Sequence, residues 1–440
     1  CCAVSPGSTT PIVGAPRRAA PTSASPDQLK GMIADSGARH LFIDAAKASE
    51  LGPDFAAELI RVPLEEIEGW MAPPGSRAPA FEPEPKDAFN IIYSSGTTGV
   101  PKGIVHNHQM RWRQFGSTAI SYLKSELPLR ALASTPLYSN TTMVAFLAPL
   151  FAGGTVRVMG KFDCGRWLAH AQADKATLTM LVPVQYQRLM DFPAFDEFDL
   201  SSLALKYCTS APFSAELKRQ VLDRMPGGLI EIYSMTEGGV VCLLACHEFP
   251  DKLHTVGRPA PGSEMKVLDD EDNEVPPGTP GNLVGRSHTM MSGYKNRPDK
   301  TAEAQWSDPA TGEAWMRMGD IGRVDEDGFV ELVGRAKDMI ISGGFNIYPS
   351  DLEAELERED GVVEAAVVGI PSRQWGETPV GFVVLREGAT CEDVIGAVNA
   401  RLGKTQRLSA LYPIDEMPRS HIGKLLKTEL REQAEELFAQ

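Results

Sequence analysis

From Tyr93 to Gly103 the chain reads Tyr-Ser-Ser-Gly-Thr-Thr-Gly-Val-Pro-Lys-Gly, directly after the short apolar run Asn90-Ile91-Ile92. Gly96 and Gly99 permit backbone angles and close approaches that a side chain would block, so consecutive N–H groups can turn toward an anion. Ser94, Ser95, Thr97 and Thr98 add neutral donors, and Lys102 adds a mobile positive charge. The chemistry of such a loop is phosphate binding. It is not a Walker A loop, because Lys102 lies between Pro101 and Gly103 where that motif needs Gly-Lys-Ser/Thr opening a helix. A polar surface turn is the plainer reading of the same residues, so the rest of the chain has to decide.

Four further stretches carry chemistry. Glu231-Ile232-Tyr233-Ser234-Met235-Thr236-Glu237 ends a strand with an aromatic ring, hydroxyls and a carboxylate, followed by Gly238-Gly239. At the carboxyl end of a parallel strand, where open α/β sheets bind ligands, the Tyr233 ring can stack on a base. Glu237 can hold Mg2+, which accepts one or two carboxylates beside substrate oxygens; alone, it reads equally as the cap of a following helix. Asp320, set between Gly319 and Ile321-Gly322, suits a ribose diol, although Gly-Asp pairs are also common in turns. Lys337 and Asp338, in Gly-Arg-Ala-Lys-Asp, fit a linker. Lys424, just past Gly423, is either a solvated lysine at a helix start or a deliverable cation. Cys242, Cys246 and His247 sit in an apolar run without a second ligand pair, and no metal site is expected there.

These residues need elements to position them. At 440 residues two or three domains are expected. A hydrophobic share of 42% with 23% charged residues is that of a soluble globular protein, and no apolar run is long enough for a membrane span. The net charge of −15 opposes nonspecific nucleic-acid binding. Seven scattered cysteines without a CxxC pair fit a reducing compartment, so a cytoplasmic location is expected. Residues 1–25, rich in Pro, Ala, Ser and Thr, read as an irregular segment. Ser25-Pro26-Asp27 looks like a helix start. From there apolar or β-branched runs (Ala38 to Ile43, Leu132 to Thr135, Thr155 to Met159, Thr177 to Val182, Ala204 to Thr209, Leu229 to Tyr233) alternate with helical patterns such as Cys164 to Gln172 and Ser214 to Met225. That predicts α/β layers with parallel strands. After Gly257 shorter strands and an acidic turn predict a small antiparallel, barrel-like subdomain. A boundary at 336/337 then separates a large domain, 26–336, from an α+β domain, 337–440. There Ser350 and Glu353 form a candidate capping box, Gly403 a helix stop, and residues 424–437 a last helix.

In order, the loop, Tyr-Ser-Met-Thr-Glu, Gly-Asp, Gly-Arg-Ala-Lys-Asp and Gly-Lys resemble the adenylate-forming superfamily of acyl-CoA synthetases, adenylation domains and firefly luciferase, over about residues 27–440. Ile341 to Pro349 looks like the glycine segment of bacterial carboxylic acid–CoA ligases. The resemblance implies a large N-terminal domain, a small mobile C-terminal lid, and the use of ATP, Mg2+ and coenzyme A on a small-molecule carboxylic acid. By position, Ser94 to Lys102 would hold the outer phosphates, and Tyr233 with Ser210, Ala211 and Pro212 the adenine. Ser234 would complete the nucleotide site, Thr236 would touch phosphate, and Glu237 would bind magnesium. Asp320 and Arg335 would take the ribose, Lys337 the hinge, Lys424 the adenylation step, and Gly343 and Gly344 the pantetheine tunnel. Tyr138, Asn140, Thr141, Met235 and Gly238 would line an acyl pocket suited to an aryl or medium-chain fatty acid, with no basic side chain for a second carboxylate. Many relatives carry His where Ser139 stands. The family's usual N-terminal strands and helices are missing before residue 27, which leaves a fragment, a misassigned start or a short form open. A stand-alone adenylation enzyme loading a carrier protein, an inactive nucleotide-binding fragment, and a homodimer also stay open.

Overall fold

The computed structural model describes residues 2–4, 17–19, 25–77, 82–94, 102–124, 127–136, 139–342, 345–372, 375–403, 406–420 and 424–438. Contacts divide the chain into two compact units. One is 1–253 with 259–264 and 285–316; the other is 254–258 with 265–284 and 317–440.

The first unit holds two large sheets. In one, the strand order is Gly293–Tyr294, Lys102–Asn107, Ala88–Ser94, Arg17–Ala19, Cys2–Val4, His40–Ile43, Ile60–Pro63. Cys2–Val4 and Arg17–Ala19 correct the expectation of a wholly irregular N-terminus: Arg17–Ala19 runs parallel to Asn90–Ile92, and Cys2–Val4 pairs antiparallel with His40–Phe42. Strand pairing is satisfied by backbone groups, so a Pro/Ala-rich composition does not preclude it. Helix Pro26–Ser36 starts as expected, with Ser25 Oγ accepting from Gln28 N and Gln28 Oε1 accepting from Ser25 N. Its Leu29, Met32 and Ile33, spaced one helical turn apart, pack on Leu41, Ile43, Ile91 and Tyr93.

The other sheet contains the expected parallel strands. Arg130–Ala133, Thr155–Val158, Leu178–Leu181, Leu205–Cys208 and Gly228–Met235 pair in parallel, and Gly238–Ala245 returns antiparallel on Gly228–Met235. Helices Asn140–Phe151, Cys164–Ala173, Pro183–Met190 and Ala215–Arg224 make the crossovers between them. Leu178–Leu181 is buried at every position, as a strand covered on both faces must be.

A smaller sheet places Gly281–Ser287 between Ser263–Leu268 and Ala314–Val324, and Val330–Arg335 pairs antiparallel with the latter. This is the barrel-like subdomain. The C-terminal sheet follows with long strands Val362–Ser372 and Gly376–Leu385. Period-2 alternation sends Ala365 and Val367 to one face, with Leu352, Leu356, Val394 and Val398. It sends Ala366, Val368 and Ile370 to the other, with Leu430 and Ala434. Two caps differ from expectation. Helix Pro349–Glu357 begins after Tyr348 without a side-chain cap. The Ser350 hydroxyl instead donates to Val333 O, while Glu353 Oε1 accepts from Val367 N and Lys427 Nζ. Helix Cys391–Arg401 ends at an extended Leu402, not at a left-handed Gly403. The last helix is Lys427–Phe438, which leaves Lys424 before it. Among the described residues no helix is long and apolar enough to cross a membrane.

Candidate active site

The carboxyl ends of the parallel strands collect the predicted site residues of the first unit. Ser139 and Asn140 follow Arg130–Ala133, Ser210 follows Leu205–Cys208, and Tyr233 to Glu237 close Gly228–Met235. Ser139 is the N-cap of helix Asn140–Phe151, accepting from Thr141 N at 3.3 Å. Thr141 Oγ1 and the Ser210 hydroxyl are 2.7 Å apart, which joins the predicted acyl-pocket and adenine-edge segments. Ser210 holds φ +84, a conformation costing a non-glycine residue on the order of 1–3 kcal/mol and often retained at functional sites.

Thr236 and Glu237 form the turn between two antiparallel strands. Glu237 therefore caps no helix; the residues after it are strand Gly238–Ala245. Gly238 adopts φ +93, and a Cβ there would lie 2.4 Å from Thr289 O and 2.5 Å from Met290 Cα. Met291 N donates to Glu237 O at 2.8 Å, fixing the turn from that side. Tyr294 OH donates to Glu237 Oε1 at 2.9 Å. The same ring carries the Lys102 ammonium 5.1 Å from its centroid. One tyrosine thus joins the lysine that ends the glycine-threonine segment to the carboxylate that follows strand Gly228–Met235. Its own burial, then the neighbouring Glu237 carboxylate, push the Tyr294 phenol well above its ordinary range, so Tyr294 stays a neutral donor.

Sequence reasoning missed the support behind this turn. His106 and Arg111 are fully buried. His106 Nε2 lies 2.7 Å from Thr236 O, and Arg111 Nη2 lies 2.7 Å from His106 Nδ1. A guanidinium can only donate, so Nδ1 accepts and Nε2–H donates to the Thr236 carbonyl. Burial, then the Arg111 charge, hold the His106 pKa down at about 3, and burial lowers that of Arg111 to about 9. Arg111 also donates to Asn90 Oδ1 (2.9 Å), Gln114 Oε1 (2.6 Å) and Asn140 Oδ1 (2.7 Å). Asn90 Nδ2 is buried without an acceptor among the described residues, a cost of about 1–3 kcal/mol. A flip of that amide would set Nδ2 against the Arg111 donor. The alternation of strand Lys102–Asn107, which buries Ile104, was the available signal for His106. Through Asn140, Arg111 also reaches a residue expected to line the acyl pocket.

In the second unit Asp320 and Arg335 face each other across paired strands, with Arg335 Nε 2.9 Å from Asp320 Oδ1. Lys337 lies in the single turn Ala336–Asp338 that follows. Lys424 is held through its backbone: Ser420 N donates to Lys424 O at 2.8 Å, and Lys424 N to Ser420 Oγ at 3.1 Å. Protein crowded about its ammonium lowers the Lys424 pKa, with Arg335 and Lys337 as like charges adding to the effect and Asp320 and Asp338 opposing it. Four of the predicted residues, Asp320, Arg335, Lys337 and Lys424, thus share one electrostatic neighbourhood. Ser95, Gly96, Thr97, Thr98, Gly99, Tyr138, Gly343 and Gly344 lie outside the described residues, and of Ser94 only the backbone is described, paired to Lys102.

The donor set fits a metal brought by a nucleotide better than a resident one. No cluster of three metal-binding side chains occurs among the described residues. Glu237 has one oxygen engaged by Tyr294, which leaves the other for a cation whose remaining ligands would be phosphate and water. Cys242 and Cys246 are buried free thiols, and burial pushes Cys246 up to about 12.

A parallel sheet whose carboxyl edge carries Tyr233 and Glu237, together with a hairpin joined by a glycine- and threonine-rich segment, is the frame expected of a nucleotide-using α/β enzyme. The chain belongs to the AMP-binding enzyme family: the family's model matches residues 13–295, and that of the AMP-binding enzyme C-terminal domain matches 351–424. It is an AMP-forming acid–thiol ligase of the adenylate-forming superfamily and uses ATP, Mg2+ and coenzyme A. It is 33% identical over 412 residues to a feruloyl-CoA synthase of an Amycolatopsis species, spanning 92% of this chain and 81% of that protein. It is 32% identical over 360 residues to the indoleacetate–CoA ligase of Aromatoleum aromaticum, spanning 79% of this chain and 68% of that one. Among solved structures, ATP-bound MatB from Rhodopseudomonas palustris superimposes with a TM-score of 0.81 at 28% identity, over 95% of this chain and 84% of that one.

Proposed function

We propose that the protein joins a hydrophobic aryl carboxylic acid to coenzyme A, with medium-chain fatty acids as the alternative substrate class. The observation that carries this reading is Tyr294, which brings Lys102 and Glu237 to one ring. In the first half-reaction a carboxylate oxygen attacks the α-phosphorus of ATP and pyrophosphate leaves. In the second, the coenzyme A thiolate attacks the acyl carbonyl, a C–S bond forms, and AMP leaves with the electron pair of the broken C–O bond. Bound Mg2+ would offset negative charge on the phosphates.

The chain's own residues divide the work as follows. Ser94, Ser95, Gly96, Thr97, Thr98, Gly99 and Lys102 hold the departing phosphates. Tyr233 stacks on adenine, with Ser210, Ala211, Pro212 and Ser234 along its edge. Thr236 donates to phosphate, and Glu237 keeps one oxygen for magnesium. Asp320, oriented by Arg335, accepts from the ribose hydroxyls. Lys424 meets the charge that develops during adenylation, a role worth about 10²–10³ in rate. Lys337 is the hinge about which the segment carrying Lys424 turns between half-reactions, the bounds of the moving domain being 337–440. Gly343 and Gly344 leave room for pantetheine.

Tyr138, Asn140, Thr141, Met235 and Gly238 shape the acyl site. The aryl preference is supported by the aryl acids in the names of both relatives above. Pyrophosphate release measured with ATP, Mg2+ and a panel of cinnamates, benzoates, indoleacetate and C6–C12 fatty acids, with and without coenzyme A, tests the reading. Turnover highest with an aryl acid and dependent on coenzyme A is expected. Silence across the panel from folded protein contradicts it.

A further inference from the structure

We propose that Arg111 and His106 are positioning residues: a buried relay that sets the Thr236–Glu237 turn and ties it to the first turn of the helix bearing Asn140 and Thr141. The proposal rests on the reading that this turn meets the phosphates and magnesium. Every link is a donor with a defined acceptor. Arg111 donates to His106 Nδ1, which leaves the ring's only proton on Nε2, aimed at Thr236 O. The same guanidinium donates to Asn140 Oδ1 on the acyl-site helix and to Asn90 Oδ1 on the strand that leads into the glycine-threonine loop. A π-helical turn, Trp112–Gly116, follows Arg111 and brings Gln114 Oε1 back to it, at 2.6 Å. Such turns often occur at functional sites.

Two features distinguish this from ordinary core packing. Among the described residues the hydrogen-bond partners of Arg111 are neutral, so a buried cation orients amides and an imidazole where a carboxylate would have neutralised it. The Asn90 donor, without a partner among the described residues, shows that the amide's orientation is dictated by Arg111. The relay thereby connects the loop strand, the acyl-site helix and the Glu237 turn through one side chain.

The test compares His106→Leu, which cannot donate to Thr236 O, with His106→Gln, whose amide can. Pyrophosphate release is measured while Mg·ATP and the acid are varied separately, with thermal unfolding to identify folded variants. A tenfold or greater loss of kcat/KM for Mg·ATP in the leucine variant is expected, with the acid KM changed less than threefold and most of the loss recovered in the glutamine variant. Equal loss in both variants, or loss divided evenly between the two substrates, overturns the relay. Nitrogen-15 NMR of the wild-type holoprotein gives a second readout independent of any variant: His106 must show the Nε2–H tautomer, and an Nδ1–H signal overturns the proposal. Glu237→Gln serves as the control for the underlying reading. If it leaves the Mg2+ dependence unmoved, the turn does not meet magnesium and the proposal falls with that assignment. If it moves the Mg2+ dependence while His106→Leu matches wild type, the relay alone is refuted.

Discussion

Lys424 has a property that ordinary surface lysines lack: crowding and the nearby Arg335 and Lys337 lower its pKa. If its charged form drives adenylation, activity must fall as pH rises through that lowered value, earlier than a free lysine at about 10.4 would dictate. Pyrophosphate release between pH 7 and 10.5 checks this. The wild type should show an alkaline limb that a slower Lys424→Arg variant lacks, since a guanidinium keeps its proton throughout. An identical limb in both would assign the titration elsewhere. At this scale the sequence was informative where a residue type has few uses. Glycine, threonine and lysine in one loop, or tyrosine and glutamate ending one strand, have a narrow range of chemistry. His106 and Arg111 were not legible because their partners lie far along the chain: Arg111 bonds Asn140, and His106 bonds the backbone of Thr236.

The turn after strand Gly228–Met235 is the element on which the site depends, and Gly238 makes it possible. A side chain at φ +93 would be strained by about 1–3 kcal/mol, and its Cβ would collide with the Thr289–Met290 backbone. Gly238→Ala should therefore lower the unfolding midpoint and raise the KM for Mg·ATP at least tenfold, measured by thermal unfolding and pyrophosphate release. An alanine variant with wild-type KM would show that the turn tolerates displacement. Strands were legible as elements because buried parallel strands need continuous apolar or β-branched runs, and Leu178–Leu181 is one. Helix ends were less so. Ser350 and Glu353 have the spacing of a capping box, but the hydroxyl donates to Val333 O and the carboxylate accepts from Val367 N. Tertiary partners outcompeted the local cap, and the sequence spacing carries no record of them. Glu237 shows the same limit: a glycine pair after a glutamate admits a helix start or a hairpin, and only the antiparallel partner decides.

Across the whole molecule, the α/β layers, the barrel-like strands and the α+β C-terminal sheet follow from periodicity. The division into units is subtler. Residues 254–258, 265–284 and 317–336 group with the C-terminal part by contact, although the texture of the sequence places them before the boundary at 336/337. Segments distant in sequence can share a compact unit, which a linear reading cannot register. On the proposed division of work, one lysine serves the first half-reaction and is dispensable in the second. Lys424→Ala, assayed separately for pyrophosphate release from acid and ATP and for thioester formation from a supplied acyl adenylate with coenzyme A, tests it most directly. The first rate should fall by about 10²–10³ while the second stays within a few-fold of wild type; equal losses in both would show that Lys424 does not divide its work between the half-reactions.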